Sequence, residues 1–156
     1  ERNRTADLIL ALSNRSQRSD TLTLGLRPSP YIEPPVRVTS SLVPSKRFPL
    51  RNASDYHFGT YTRVASPCKA GDYILFTFEE PVDCESVDLL TRYIVTKGRV
   101  AWSSDGRSFI EAGPLNESGQ IVWKPHKPVR AIRVSIEGSN GETAVCWQDL
   151  RITPTR

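Results

Sequence analysis

The amino-acid sequence predicts an all-β fold, an antiparallel sandwich, and three observations carry that expectation. Apolar and polar residues alternate over short runs instead of recurring at helical spacing. Turn residues separate the runs at regular intervals, with 12 Pro and 9 Gly in 156 residues. Beyond residue 35 no stretch is convincingly helical.

Residues 1–35 read as an N-terminal extension and linker, and residues 36–156 as the sandwich. Within the extension, Ala6–Leu12 is compatible with a short helix, and Thr21–Leu24 alternates like a strand. Pro28-Ser29-Pro30 and Glu33-Pro34-Pro35 then form a stiff, extended connector. Val36–Ser41 opens the strand series. Asp72–Phe78 is its strongest member, expected to stop at Glu79-Glu80-Pro81. Glu85–Leu90 follows, with Val87 and Leu89 on one face. Arg99–Trp102 runs into Ser103-Ser104-Asp105-Gly106, a tight-turn signature, and Phe109-Ile110 begins the return. Ile121–Trp123, Val129–Ile136 and Thr143–Ile152 complete the set. Ile132, Val134 and Ile136 share one face, and Arg133 and Ser135 the other.

Composition excludes several function classes. With 38% hydrophobic and 24% charged residues the chain is an ordinary globular protein with one core. No run approaches the roughly 18 apolar residues of a membrane span. The net charge of +4 is dispersed. Its nearest clusters are Arg4, Arg15 and Arg18, and Lys124, Lys127, Arg130 and Arg133, and neither makes the dense basic stripe that nucleic-acid binding needs. The first residues lack the charged start and apolar middle of a leader, so the expectation is a mature segment or an excised domain.

The compartment signal is glycosylation. Four of the five Asn stand in N-x-Ser/Thr, at Asn3, Asn14, Asn52 and Asn116, where chance predicts about one. That points to a secreted or lumenal protein. Cys68, Cys84 and Cys146 fit the same compartment with at most one disulfide, Cys68 being the favoured bonded residue and its partner left open. Their spacing is not that of a zinc site, and no metal or cofactor is expected.

Catalytic constellations are missing from the pattern. The histidines are His57 and His126, the latter in an inter-strand loop expected to be exposed and idle. Neither a GxSxG nor an HExxH motif is present, and no Gly-rich loop precedes a helix. The informative region is Asn52–Ser66, a long loop without strand alternation. Sugars present apolar C–H faces and hydroxyl rims, which aromatic rings and charged hydrogen-bonding groups hold. Tyr56 and Tyr61 are the candidate stacking rings there, Asp55 the acceptor, and His57 or Arg63 the donor. Arg92 and Tyr93 are placed at the same end of the sandwich. Trp102, Trp123 and Trp147 fall in strands and read as core.

Two groups of residues resemble known families. Glu33-Pro34-Pro35 with Val38–Leu42, Ala70–Phe78, Glu80-Pro81-Val82 and Ala144–Ile152 resemble the C-terminal domain of the N-acetylglucosaminyltransferase IV family, Golgi enzymes that branch N-glycans. More broadly, Gly71–Ile74, the Trp102–Gly106 turn, Pro128–Val134 and Asp149–Ile152 resemble the discoidin-type, galactose-binding-like jelly roll, which includes the family-32 carbohydrate-binding modules. The first resemblance implies recognition of an N-acetylglucosamine-containing glycan by a domain attached to a catalytic neighbour, in the Golgi lumen or outside the cell. The second admits galactose and N-acetylgalactosamine. The expectation is a non-catalytic, lectin-like domain. Its rivals are a discoidin-type adhesion module, with Leu42–Phe48 as a membrane- or protein-binding spike, and a structural domain packed on a catalytic neighbour through an apolar patch.

Overall fold

The structure, a computed structural model, describes residues 7–13, 19–25, 31–57, 59–64, 68–91, 96–139 and 146–155. The chain divides into two compact units, Glu1–Pro30 and Tyr31–Arg156.

In the first unit, β1 (Asp7–Ser13) pairs antiparallel with β2 (Ser19–Gly25), in register from Asp7 opposite Gly25 to Ser13 opposite Ser19. The helix expected near Ala6–Leu12 is therefore a strand. A helix of seven residues is marginal in water, whereas strand pairing satisfies the same backbone groups at once.

The second unit is the predicted sandwich. A five-stranded sheet has the order β3 (Val36–Ser40), β5 (Tyr73–Val82), β10 (Val129–Ser139), β7 (Thr96–Ser103), β8 (Ile110–Pro114). A four-stranded sheet has the order β4 (Thr62–Arg63), β11 (Cys146–Pro154), β6 (Cys84–Thr91), β9 (Gln120–Trp123). Every pairing is antiparallel. Ile32 already bridges Ile152, so the segment read as linker up to Pro35 joins the sandwich before its first strand.

Alternation decides which side chains face inward. Along β5, Ile74, Phe76 and Phe78 are fully buried while Tyr73, Leu75 and Thr77 are half-buried on the outer face. Along β10, Ile132, Val134 and Ile136 are buried, with Ile132 opposite Phe76 and Val134 opposite Ile74, and Arg133 sits outside, its guanidinium 4.9 Å from the Tyr73 ring centroid. Val87, Leu89, Leu150 and Ile152 supply the facing layer. Each such side chain contributes about 1.5–3 kcal/mol by leaving water. Trp102 and Trp123 belong to this core, as expected. The side chains of Cys146 and Trp147 lie outside the described residues.

β5 does not stop at Glu79 but continues through Pro81 to Val82. Pairing with β10 shifts register between Val129 and Ala131, and the Glu79 amide bonds to the Pro35 carbonyl at 3.2 Å. At such an irregularity a proline deprives the ladder of nothing, which is why the turn-like Glu-Glu-Pro sequence does not end the strand. The β7–β8 turn is the one expected. Asp105 Oδ1 accepts from Ser103 Oγ, Arg107 N and Ser108 N at 2.7–2.8 Å. Those donors, the Ser108 and Arg107 amides first, hold its carboxyl well below the usual range. Gly106 takes the left-handed backbone that closes the turn.

Cys68 and Cys84 are both free thiols, so a Cys68–Cys84 disulfide is not formed. Burial, with Asp83 adding, pushes the Cys84 thiol up to about 11. Its protonated form is the one the fold prefers, so that contribution is complete below pH 9 and is lost as pH rises through 11. Iodoacetamide at pH 8 should label half-buried Cys68 and leave Cys84 unmodified in the native protein, as read by peptide mapping.

Gly98 is fixed by close approach: a Cβ there would stand 2.5 Å from the Ser135 carbonyl oxygen of β10. Gly98→Ala should force β7 and β10 apart and cost about 1–3 kcal/mol in chemical denaturation. A variant as stable as the parent would refute that contact.

Candidate functional site

Between β3 and β5 the chain makes a long excursion that includes a 3-10 turn and the two residues of β4. Its two ends are pinned by one buried carboxylate. Asp72 Oδ1 accepts from Ser41 Oγ at 3.0 Å and Oδ2 from the Lys69 amide at 2.8 Å. Ser41 Oγ in turn accepts from the Tyr73 amide at 2.9 Å. With both oxygens satisfied, burying the charge is tolerable.

From there the chain enters the flank. A 3-10 turn, Leu50–Ala53, packs against β3, β4 and β11, and buries Ala53 between the edges of the two sheets. The Thr62 hydroxyl donates to the Pro49 and Leu50 carbonyls (2.9 and 3.1 Å), and Asn52 Nδ2 donates to the Tyr61 carbonyl at 3.1 Å. Phe48 stacks on Tyr61, with ring centroids 4.5 Å apart, and the Arg47 guanidinium stands 5.4 Å from the Phe48 centroid. Leu42 is core and Phe48 is stacked, so of the apolar residues in the Leu42–Phe48 spike only Val43 is strongly exposed, at 67%.

The loop residues singled out from the sequence sit here, and their polar groups are partly spent on each other. Asp55 Oδ1 accepts from the His57 amide (3.1 Å), and the Thr60 hydroxyl lies 2.7 and 2.8 Å from its two carboxylate oxygens. This is the chemistry of a turn-ordering carboxylate. His57 Nδ1 accepts from the Gly59 amide at 3.2 Å, so the neutral ring carries its proton on Nε2, as a donor. Tyr56 has φ +55°, the only non-glycine positive φ among the described residues, and its hydroxyl donates to the Pro34 carbonyl at 2.9 Å. A bulky residue in that conformation costs about 1–3 kcal/mol, which the Pro34 bond helps to offset.

The side chains of Asp55, His57 and Arg63 are exposed, whereas Tyr56 and Tyr61 are half-buried. Through the Tyr56–Pro34 bond the loop reaches back to the chain before β3, and Arg63 pairs opposite Cys146 of β11. Arg92 and Tyr93 lie outside the described residues. Of the sequons, Asn116 is exposed, its Oδ1 accepting from the Ser118 and Gln120 amides at 2.9 Å. Asn52 is half-buried, and a glycan there would displace its bond to Tyr61. Asn3 and Asn14 lie outside the described residues.

Two hollows mark the surface of the second unit. One, about 390 Å³, is lined by Lys97, Leu115, Asn116, Glu117 and Glu137 near the start of β7. The other, about 330 Å³, opens between β8 and β9 beside Trp102, Trp123 and the Lys124–Lys127 loop. Sequence reasoning left that loop idle. The signal it held was two lysines and a histidine interleaved with two prolines, directly after a buried Trp. Among the described residues no group of three His, Cys, Asp or Glu could hold a metal ion, and no helix is long and apolar enough to cross a membrane.

No known protein family and no curated protein matches the chain by sequence. Solved structures do. CBM32-1, a carbohydrate-binding module from a family 31 glycoside hydrolase of Clostridium perfringens, superposes with TM-score 0.65 at 15% identity, over 80% of this chain and 99% of that one. The family 32 carbohydrate-binding module of C. perfringens NanJ, in complex with galactose, superposes with TM-score 0.60 at 12% identity, over 75% and 92%. A family 89 glycoside hydrolase from C. perfringens, in complex with 2-acetamido-1,2-dideoxynojirmycin, matches with TM-score 0.61 at 13% identity, over 78% of this chain but 14% of that one. The second unit therefore has the fold of the family-32 carbohydrate-binding modules, a galactose-binding-like β-sandwich. At these identities the likeness is one of fold.

Asp55→Ala should release the loop without unfolding the domain. Hydrogen exchange of the His57 and Gly59 amides should quicken, while global stability falls by less than about 1 kcal/mol. Unchanged exchange would show that Asp55 does not order the loop.

Proposed function

We propose that this chain is a non-catalytic carbohydrate-binding domain that recognises N-acetylglucosamine-containing glycans and docks a glycan-processing enzyme on its substrate. The observation that supports the reading is the superposition of most of this chain on nearly the whole of a carbohydrate-binding module from a glycoside hydrolase. Three exposed polar side chains, Asp55, His57 and Arg63, on a loop held by Tyr56 in strained backbone, supply the groups a sugar needs. A carboxylate already ordering its loop still has exposed acceptor positions for two sugar hydroxyls, and His57 Nε2 adds a donor. Tyr56 and Tyr61 are the aromatic partners, with Arg92 and Tyr93 as further candidates for contact.

The choice of an acetamido sugar follows the resemblance to the N-acetylglucosaminyltransferase IV domain. A family 89 glycoside hydrolase in complex with 2-acetamido-1,2-dideoxynojirmycin carries a sandwich of this fold. In that enzyme the matching sandwich is a small part of a long chain, as a docking role requires. The four sequons support a place in the secretory lumen or outside the cell, and the transferase-family resemblance points to the Golgi in particular. A shallow site for one sugar gains about 4 kcal/mol, a millimolar affinity. Tethering to a catalytic neighbour makes that useful by raising effective concentration.

Amide NMR titration with N-acetylglucosamine, galactose and N-acetylgalactosamine is the test. Saturable shifts should centre on residues 55–63, with millimolar affinity strongest for N-acetylglucosamine, and His57→Ala should weaken them about tenfold. Absence of any response to all three sugars, on folded protein, would overturn the reading.

A further inference from the structure

Among the described residues of the second unit, the flank opposite the 3-10 turn has no such plug. β8 and β9 are the outer strands of their sheets, and the 330 Å³ cleft runs between them. That volume suits a single six-membered ring with one substituent. Trp102, Ile110, Ala112 and Trp123 form its apolar wall, and Lys124, His126 and Lys127 its rim. Ile110 is 54% exposed at the mouth, although it sits in a strand beside the core.

The charges in the cleft are one-sided. Its acidic lining residue, Glu111, is ion-paired with Arg99 from the neighbouring strand. The Lys124 ammonium stands 3.5 Å from Glu85 in a solvent-exposed pair, a contact worth little and readily exchanged. In the wall, the Trp123 indole Nε1 is buried with no hydrogen-bond partner among the described residues. A basic rim beside an apolar wall asks for a ligand with an apolar face and an anionic group.

These features select among ligands. A bare anion would use the lysines and waste the apolar wall. A neutral sugar would use the wall and leave the basic rim unpaired. A sugar ring bearing a carboxylate satisfies both, laying its C–H face on the wall and its carboxylate between Lys124 and Lys127. The geometry points to this cleft as a second site, separate from the Asp55 loop, that takes a hexuronic-acid residue of an acidic glycan. Only the choice of a sugar ring rests on the carbohydrate-binding reading; the carboxylate rests on the cleft itself.

Of the Trp indole N–H resonances, those of Trp102 and Trp123 report on the cleft. Glucuronate and galacturonate should shift the Trp123 resonance saturably, while glucose, galactose and benzoate should not. Lys124→Gln with Lys127→Gln should weaken the uronate response at least about tenfold, and raising the salt should weaken it in the parent. Asp55→Ala should leave it unchanged. An indole that does not respond to uronates, or responds equally in the double variant, overturns the second site. An equal response to benzoate overturns the sugar assignment. Loss of neutral-sugar binding at residues 55–63 with the indole response intact would instead sink the loop reading and leave the cleft standing.

Discussion

Two sheets that are apolar on one face each must bury those faces against each other, and the sandwich is then vulnerable along its flanks, where inward-facing side chains meet water between the outer strands. The rest of this structure follows from how each flank is treated. One is closed by the chain between β3 and β4, whose 3-10 turn drops Ala53 into the gap and whose Asn52 and Thr62 tie the loop backbone down. The other, between β8 and β9, keeps a hollow beside two tryptophans. A loop that must plug a flank has less freedom to be shaped by a ligand, and an unplugged flank has more.

The closing segment is long, and ordering it has a large entropic cost. Asp72 reduces that cost by fixing both ends at once. Its carboxylate gathers Ser41 where the chain leaves β3 and Lys69 where it approaches β5, so what lies between is a closed loop of defined span. Within it, Asp55 repeats the device on a smaller scale through His57 and Thr60. Carboxylates therefore build the framework of this loop.

The strands were legible in the sequence because alternation is enforced by burial: Ile74, Phe76 and Phe78, or Ile132, Val134 and Ile136, had nowhere else to go. Where no buried face dictated the pattern, reading was harder. β4 is two residues long and carries no period. Ala6–Leu12 is apolar enough for either helix or strand, and pairing with Ser19–Gly25 decided it. Pro81 read as a stop because its neighbours are turn-like, yet an irregular ladder accommodates it. The candidate loop was recognisable by its rings and polar groups. Its tie to the segment before β3 was not, because Tyr56 reaches Pro34 across 22 residues of sequence. The β8–β9 cleft was invisible for the same reason, since its walls come from three separate strands.

The strand order carries a consequence for how the chain folds. Among the described strands of the sandwich only β7 and β8 are neighbours both in sequence and in a sheet; every other pairing joins strands separated by at least one other. β5 must find β10, and β4 must find β11, before either sheet exists. Such distant pairings close large loops before they bury anything, which places the domain among slow folders, on the millisecond-to-second scale. The β7–β8 hairpin, with Asp105 and Gly106 already shaping its turn, is the piece that can assemble on its own. Its inner residues Val100 and Trp102 offer β10 a surface to dock on, and that makes an otherwise ordinary surface turn a determinant of folding speed.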